Sequence, residues 1–356
     1  MKIKTKYYDL LNTFIIVIIC SVSLYAQTND TLKTKVFNRE ALLNEIIEKI
    51  LDNYIFLDVA AKIDSAIRCE IKSGKYNHLT NTEFAETLSK DLCAFSTDKH
   101  FFVKYVGNQP ITNKLNSKEQ QELDNYTNSL ENYGFENVSR LKGNIGYINY
   151  KGFAEANSSK IALESAMNFV SNTNSLIIDL RENRGGDSNM MLLFCSYFID
   201  KKTKVSETYF RFNDKTIQNW TEDKVNGKKY LNRNIYFLTS KNSFSAAEAL
   251  SYTLQNYNIA KIIGEKTGGA ANPSDGFLIA NEYLLFIPVG KEINVITKAN
   301  WENIGVIPDE NINSKDALTT AHIFALEDIL KKKTRTELTT DEIEELIKQL
   351  KYSLAN

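Results

Sequence analysis

Histidine and cysteine are scarce in this chain. Three histidines (His78, His100, His322) and four cysteines are spread over 356 residues. No Cys/His group has the close spacing of a zinc motif, so neither a metal nor a cofactor is expected. With the N-terminal leader set aside, Cys69, Cys93 and Cys195 remain, an odd set that makes no disulfide framework. A Cys69–Cys93 bridge is compatible with an oxidising compartment, and buried free thiols are the simpler reading. An excess of one charge is also missing. Lys and Arg number 43 against 44 Asp and Glu, interspersed along the chain. That balance offers no electrostatic footprint for nucleic acid or a membrane surface. There is no internal repeat.

Long apolar runs are confined to the N-terminus. MKIKTKYY is basic, LLNTFIIVIICSVSLYA is mostly apolar, and Ala26 precedes Gln27. This is the order of a secretory signal peptide, residues 1–26, cleaved after Ala26. The run is short for a membrane span. Ile19 stands before Cys20 where lipid attachment wants a small residue. The expected location is therefore periplasmic or extracellular, with membrane contact only through the leader. About 330 residues would remain, enough for two domains with sizeable cores.

Helical spacing dominates residues 27–104: Leu42, Leu43, Ile46, Ile47 and Ile50 begin it, and Thr80-x-x-Glu83 is a capping box opening a later helix. Residues 105–139 are polar and read as a linker or exposed helix-loop. From 140 to 330 the pattern alternates. NIGYINYKGF, SLIIDL and NIYFLTS read as buried strands, with SSKIALESAMNFVSN and MLLFCSYFI as helices between them. This predicts an α/β class with a mainly parallel sheet behind an N-terminal helical bundle. Residues 331–356 read as a C-terminal amphipathic helix with a Thr339-x-x-Glu342 box.

Two turns carry candidate chemistry. Ser245 follows the strand NIYFLTS at the start of a helix, where free N–H groups and the helix dipole favour developing negative charge. Ser245-x-x-Glu248 reads equally as an ordinary helix cap. RENRGGD places Gly185 and Gly186 after another buried strand, where the backbone can approach a ligand and aim N–H groups at it. Gly185, Gly186 and Ala246 are the candidate oxyanion hole.

DLRENRGGD, LTSKNSFSAAEAL, IIGEKTGGAA and NWENIGVIPD occur in the order found in the C-terminal processing, or tail-specific, serine peptidases. With DNYIFLDVAAKIDSAI and the element Asp98-Lys99-His100, the chain resembles the branch that includes interphotoreceptor retinoid-binding protein and the tricorn core. The resemblance implies a ClpP/crotonase-like core under a helical cap, with Ser245 as nucleophile, His100 as base and Glu302 as its orienter. Many members place a lysine base where Ala270 stands, so a Ser-Lys dyad is not expected. Lys99 stands where tricorn has an assisting serine. No segment reads as a PDZ domain. The implied partner is a polypeptide, unstructured or a chain terminus. The alternative is a binding protein for apolar ligands on the same scaffold, with Phe101, Phe102, Phe244 and Trp301 near the motifs. A third is an acyl hydrolase of small esters.

Overall fold

The computed structural model describes residues 39–107 and 117–355. The leader, its cleavage point and Cys20 lie outside them. The chain divides at Glu45/Ile46, within the first helix α1 (Arg39–Asn53), and everything that follows concerns the larger unit.

Helices α2 (Leu57–Ser73) and α3 (Asn81–Ser96) follow the predicted periodicity, burying Ala60, Ile63 and Ile67 from one and Phe84, Leu88 and Leu92 from the other. Thr80 caps α3 as the sequence predicts: Glu83 N–H donates to its Oγ1 at 3.3 Å and its own N–H donates to Glu83 at 2.9 Å. Strand β1 (Phe102–Tyr105) then leaves the helical layer and pairs with β10 (Tyr283–Pro288), itself in a hairpin with β9 (Ser274–Ile279). Phe102 faces Phe286 and Tyr105 faces Tyr283 in that register.

The core is a six-stranded sheet in the order β12-β8-β7-β4-β3-β2. These strands are Glu310–Asn311, Ala260–Gly264, Asn234–Thr239, Ser175–Asp179, Ile145–Tyr150 and Phe135–Leu141. All neighbours are parallel except β2 and β3. Central β4 is buried along its whole length, as a strand covered on both faces must be. Helices α5 (Ala156–Val170), α6 (Ser188–Ser196) and α7 (Ala246–Asn256) cover one face. Helices α8 (Ala317–Lys332) and α9 (Thr340–Ala355) cover the other. The α/β class, the mainly parallel sheet, the helical N-terminal region and the C-terminal helix all match the expectation.

Residues 105–139, read as a linker or exposed helix-loop, hold helix α4 (Ser117–Leu130), which fits the second of those readings, and most of the edge strand β2, which neither reading includes. FENVSRL is only intermittently buried, because an edge strand meets water on one side, so its polar alternation read as loop. A second small sheet, β11-β5-β6 (Gly290–Asn294, Lys204–Phe210, Lys215–Trp220), sits beside the core. Its two strands before residue 221 carry little apolar signal; β6 is almost wholly exposed. Cys69, Cys93 and Cys195 are all free thiols, so Cys69 and Cys93 are not bridged.

Candidate active site

Ser245 sits where β7 turns into α7. Buried hydroxyls fix that turn: Ser243 Oγ donates to Leu180 O at 2.7 Å and accepts from Ser240 N–H at 3.0 Å, while Phe244 N–H donates to Asn183 O at 3.0 Å. Ser245 itself has φ 53° and ψ −118°. An ordinary N-cap takes extended backbone angles, as Thr80 does here with φ −61° and ψ 166°. A serine at positive φ with that ψ is strained, at a cost of about 1–3 kcal/mol. A cap does not need that strain; a nucleophile thrust out of a strand-to-helix turn does.

The glycine turn lies directly against it. A Cβ on Gly185 would come within 2.7 Å of Ser245 Cβ and 2.9 Å of Ala246 N, and Gly185 has φ 93°. Only glycine fits there. Gly185 is not a free donor, however, since its N–H is given to Asn183 Oδ1 at 2.8 Å. The Asn183 amide donates in turn to Tyr150 O at 2.9 Å. Of the three expected oxyanion donors, Gly186 and Ala246 keep unengaged N–H groups among the described residues. In this conformation Gly185 uses its N–H to hold the turn shut.

Glu248, the third residue of α7, is fully buried and gathers four donors. Ser245 N–H reaches it at 2.9 Å, Thr267 Oγ1 at 2.5 Å, Gly269 N–H at 2.7 Å and Ala270 N–H at 2.9 Å. Burial pushes its carboxyl up and those hydrogen bonds pull it back. It ties the serine turn to the Thr267–Ala271 loop. Ala270, where many relatives carry lysine, is wholly buried and accepts from Trp301 Nε1 at 2.8 Å.

His100 enters from the end of α3, just before β1. Its ring lies against Phe244, the neighbour of Ser245, with centroids 5.0 Å apart. Among the described residues neither ring nitrogen has a hydrogen-bond partner, so no bond to Ser245 Oγ is formed in this conformation. Burial pushes the imidazole down to about 4, which keeps it neutral at pH 7 with a lone pair to offer. Asp98 Oδ1 lies 3.8 Å from Nδ1 and accepts His100 N–H at 3.0 Å; Asp98 Oδ2 accepts from Asn272 Nδ2 at 2.8 Å.

Glu302 completes the group. One oxygen accepts Ala271 N–H at 2.6 Å and Asn272 N–H at 3.2 Å, while Oε1 is buried without a partner among the described residues. Burial, with the Asp98 charge beside it, pushes its carboxyl up to about 7. Burial raises Asp98 too. Asp98, His100 and Glu302 thus converge from segments about 200 residues apart. Sequence reasoning placed His100 and Glu302 in the site but missed Asp98, Asn272 and Glu248 as its supports. The Asp98-x-His100 spacing was the available signal for the first, and Glu248 hid inside the helix-cap reading. His322, by contrast, lies against Lys142 O at 2.9 Å, away from this cluster.

An α/β core presenting a strained serine, with a neutral imidazole packed on the adjoining Phe244 and two carboxylates next to that imidazole, defines a hydrolase-type scaffold. Residues 144–312 match the model of peptidase family S41, and residues 31–134 match the N-terminal domain of peptidase S41 in eukaryotic IRBP. The chain belongs to peptidase family S41. Among curated proteins it is 26% identical, over 183 residues, to a "Probable CtpA-like serine protease" of Staphylococcus epidermidis. The aligned part is 47% of this chain and 37% of that one; a Staphylococcus aureus protein of the same description is 27% identical over 26% of its length. The chain thus aligns with between 26% and 37% of the length of these relatives. Among solved structures, a peptidase candidate from Parabacteroides merdae superposes with a TM-score of 0.55 at 17% identity, over 80% of this chain and 96% of that one. A lipoprotein from Streptococcus agalactiae gives 0.54 at 16% identity, over 82% and 96%. These two share the fold.

Proposed function

We propose that the chain is an exported serine peptidase whose nucleophile is Ser245. The observation that carries this is the strained backbone of Ser245 at the head of α7, beside the open N–H groups of Gly186 and Ala246. Ser245 Oγ attacks the scissile carbonyl, and the oxyanion forms against those two N–H groups. His100 takes the hydroxyl proton and returns it to the leaving amine. Glu302 and Asp98 orient the ring and stabilise the imidazolium. In this conformation His100 and Ser245 are not bonded; catalytic hydrogen bonds commonly tighten only when substrate is bound. The substrate is an unstructured polypeptide or chain terminus, and the basic-apolar leader delivers the enzyme to the periplasm or cell exterior.

Purified protein should cleave an unstructured peptide and be labelled at Ser245 by a fluorophosphonate, and Ser245→Ala should lose both. Unchanged turnover in that variant sinks the proposal. Fractionation should find the processed chain outside the cytoplasm. Of the four aromatics behind the apolar-ligand alternative, Phe102 is 49% exposed and stacks on Phe286 of β10, and the other three are already engaged. Phe101 and Trp301 are core residues, each 2% exposed, and Phe244 is occupied by His100.

A further inference from the structure

The spacing of Cys and His along the chain argues against a metal site, yet the fold brings three side chains with ligand atoms together from distant segments. Asp98, His100 and Glu302 each bring one ligand atom to within 4.8 Å of the others. His100 Nδ1 and Asp98 Oδ1, at 3.8 Å, are already close to the separation of about 3.4 Å that ligands on a tetrahedral zinc ion require. The His100 side chain is only 9% exposed, and both its nitrogens lack a partner among the described residues. Glu302 Oε1 and Asn272 Oδ1 are likewise buried and unpartnered beside it. Polar atoms are seldom left so unless something else engages them. Both carboxylates are braced by donors: Asn272 Nδ2 on Asp98, and the Ala271 and Asn272 N–H groups on Glu302. That outer bracing is what metal ligands need. A cavity of about 360 Å³, lined by Tyr54, Phe56, Asp98, Asn272, Lys291 and Glu302, gives a cation a route to the carboxylates.

We propose that Asp98, His100 and Glu302 form a binding site for a divalent transition cation of the zinc class. An imidazole with two carboxylates suits such an ion. Bound at Nδ1, the ion takes that nitrogen's lone pair and leaves the ring proton on Nε2, so the imidazole has no lone pair left to take the proton of Ser245 and the site is an inhibitory one. Binding itself stands whether or not Ser245 cleaves peptides.

Calorimetric titration of ZnCl2 into the chelator-treated Cys69→Ser protein should show one saturable ion per chain. His100→Gln and Glu302→Gln, checked as folded by circular dichroism, should abolish it. Asn272→Ala, which removes only bracing, should weaken it about tenfold or more. Absence of saturable binding, or affinity unchanged in His100→Gln and Glu302→Gln, overturns the proposal. Co2+ added to the unsubstituted protein gives a second readout that needs no variant. Visible d–d bands without a thiolate charge-transfer band are expected, and a thiolate band overturns the assignment. Ser245→Ala should bind Zn2+ as tightly as wild type. Loss of turnover with zinc binding intact therefore bears on the peptidase reading alone, and missing zinc binding in an active enzyme bears on this one alone.

Discussion

Two titrations with opposite signs meet at His100 and Glu302. His100 falls from an ordinary 6.5 to about 4 through burial, so below pH 6.5 the unfolded chain takes up a proton that the folded chain refuses. Its contribution to stability is therefore present above pH 6.5 and lost as pH falls towards 4. Glu302 rises from an ordinary 4.5 to about 7 through burial and the nearby Asp98 charge. There the folded chain keeps the proton longer, and stability is lost as pH rises through 7. Asp98, also raised, acts in the Glu302 sense. Between pH 4.5 and 6.5 the two slopes, each at most about 1.4 kcal/mol per pH unit, oppose one another. In metal-free buffer, denaturant unfolding of His100→Gln should show stability falling with rising pH over that window, and Glu302→Gln should shift the slope in the rising sense, with Asp98 still opposing it. Equal slopes in the two variants would contradict this pairing. Ser245 offers a second residue-level test. Ser245→Gly relieves the positive φ and should raise stability by about 1 kcal/mol after the extra chain entropy of glycine is deducted, while abolishing turnover. A loss of stability would show that the serine side chain contributes more than its backbone costs.

At the scale of elements, the two turns are a single device. Gly185→Ala places a methyl 2.7 Å from Ser245 Cβ in a backbone region closed to alanine. The α7 turn must shift, and kcat should fall about a hundredfold or more, since small misplacements of a reacting group are that costly. KM should change far less. Glu248→Gln keeps the shape but turns an amide N–H2 towards backbone donors. With four donors and one remaining acceptor oxygen, it should cost about 2–3 kcal/mol in chemical denaturation. The elements themselves were readable in proportion to their apolar pattern. SLIIDL and NIYFLT are continuous buried runs and announce central strands. KTIQNW, exposed along nearly its whole length, pairs through backbone hydrogen bonds that leave no mark in side-chain chemistry. The serine turn was legible as a position but not as a conformation. The capping pattern Ser245-x-x-Glu248 is the same string whether φ is negative or positive, and only the packing of Gly185 decides which.

At the scale of the whole molecule, the nucleophile and its base belong to different layers, and what joins those layers should set the rate. The sequence names His100 and Ser245 but contains no local signal for the attachments that bring them together. Lys99 Nζ donates to Gly268 O at 2.5 Å, Asn272 Nδ2 to Asp98 at 2.8 Å and Asn303 Nδ2 to Thr97 Oγ1 at 3.3 Å. Strand β1 adds its pairing with β10. The farthest attachment is Arg211, whose Nε donates to Tyr54 O at 2.8 Å and whose guanidinium also donates to Leu51 O at 2.6 Å. These carbonyls lie at the C-terminal end of α1, where helical acceptors lack intrahelical donors. Tyr54 packs its ring on Phe101, next to His100, at 4.8 Å. Arg211 is not among the residues of the Ser245 turn or the His100 cluster. Arg211→Ala should therefore cost about 2 kcal/mol of stability, the usual worth of charge-assisted hydrogen bonds. It should also lower kcat several-fold with little change in KM, because the layer carrying the base is less firmly held. Steady-state kinetics well below the unfolding temperature separates the two effects. A kcat equal to wild type would mean that β1 and the Asp98–Asn272 contact hold His100 in place by themselves.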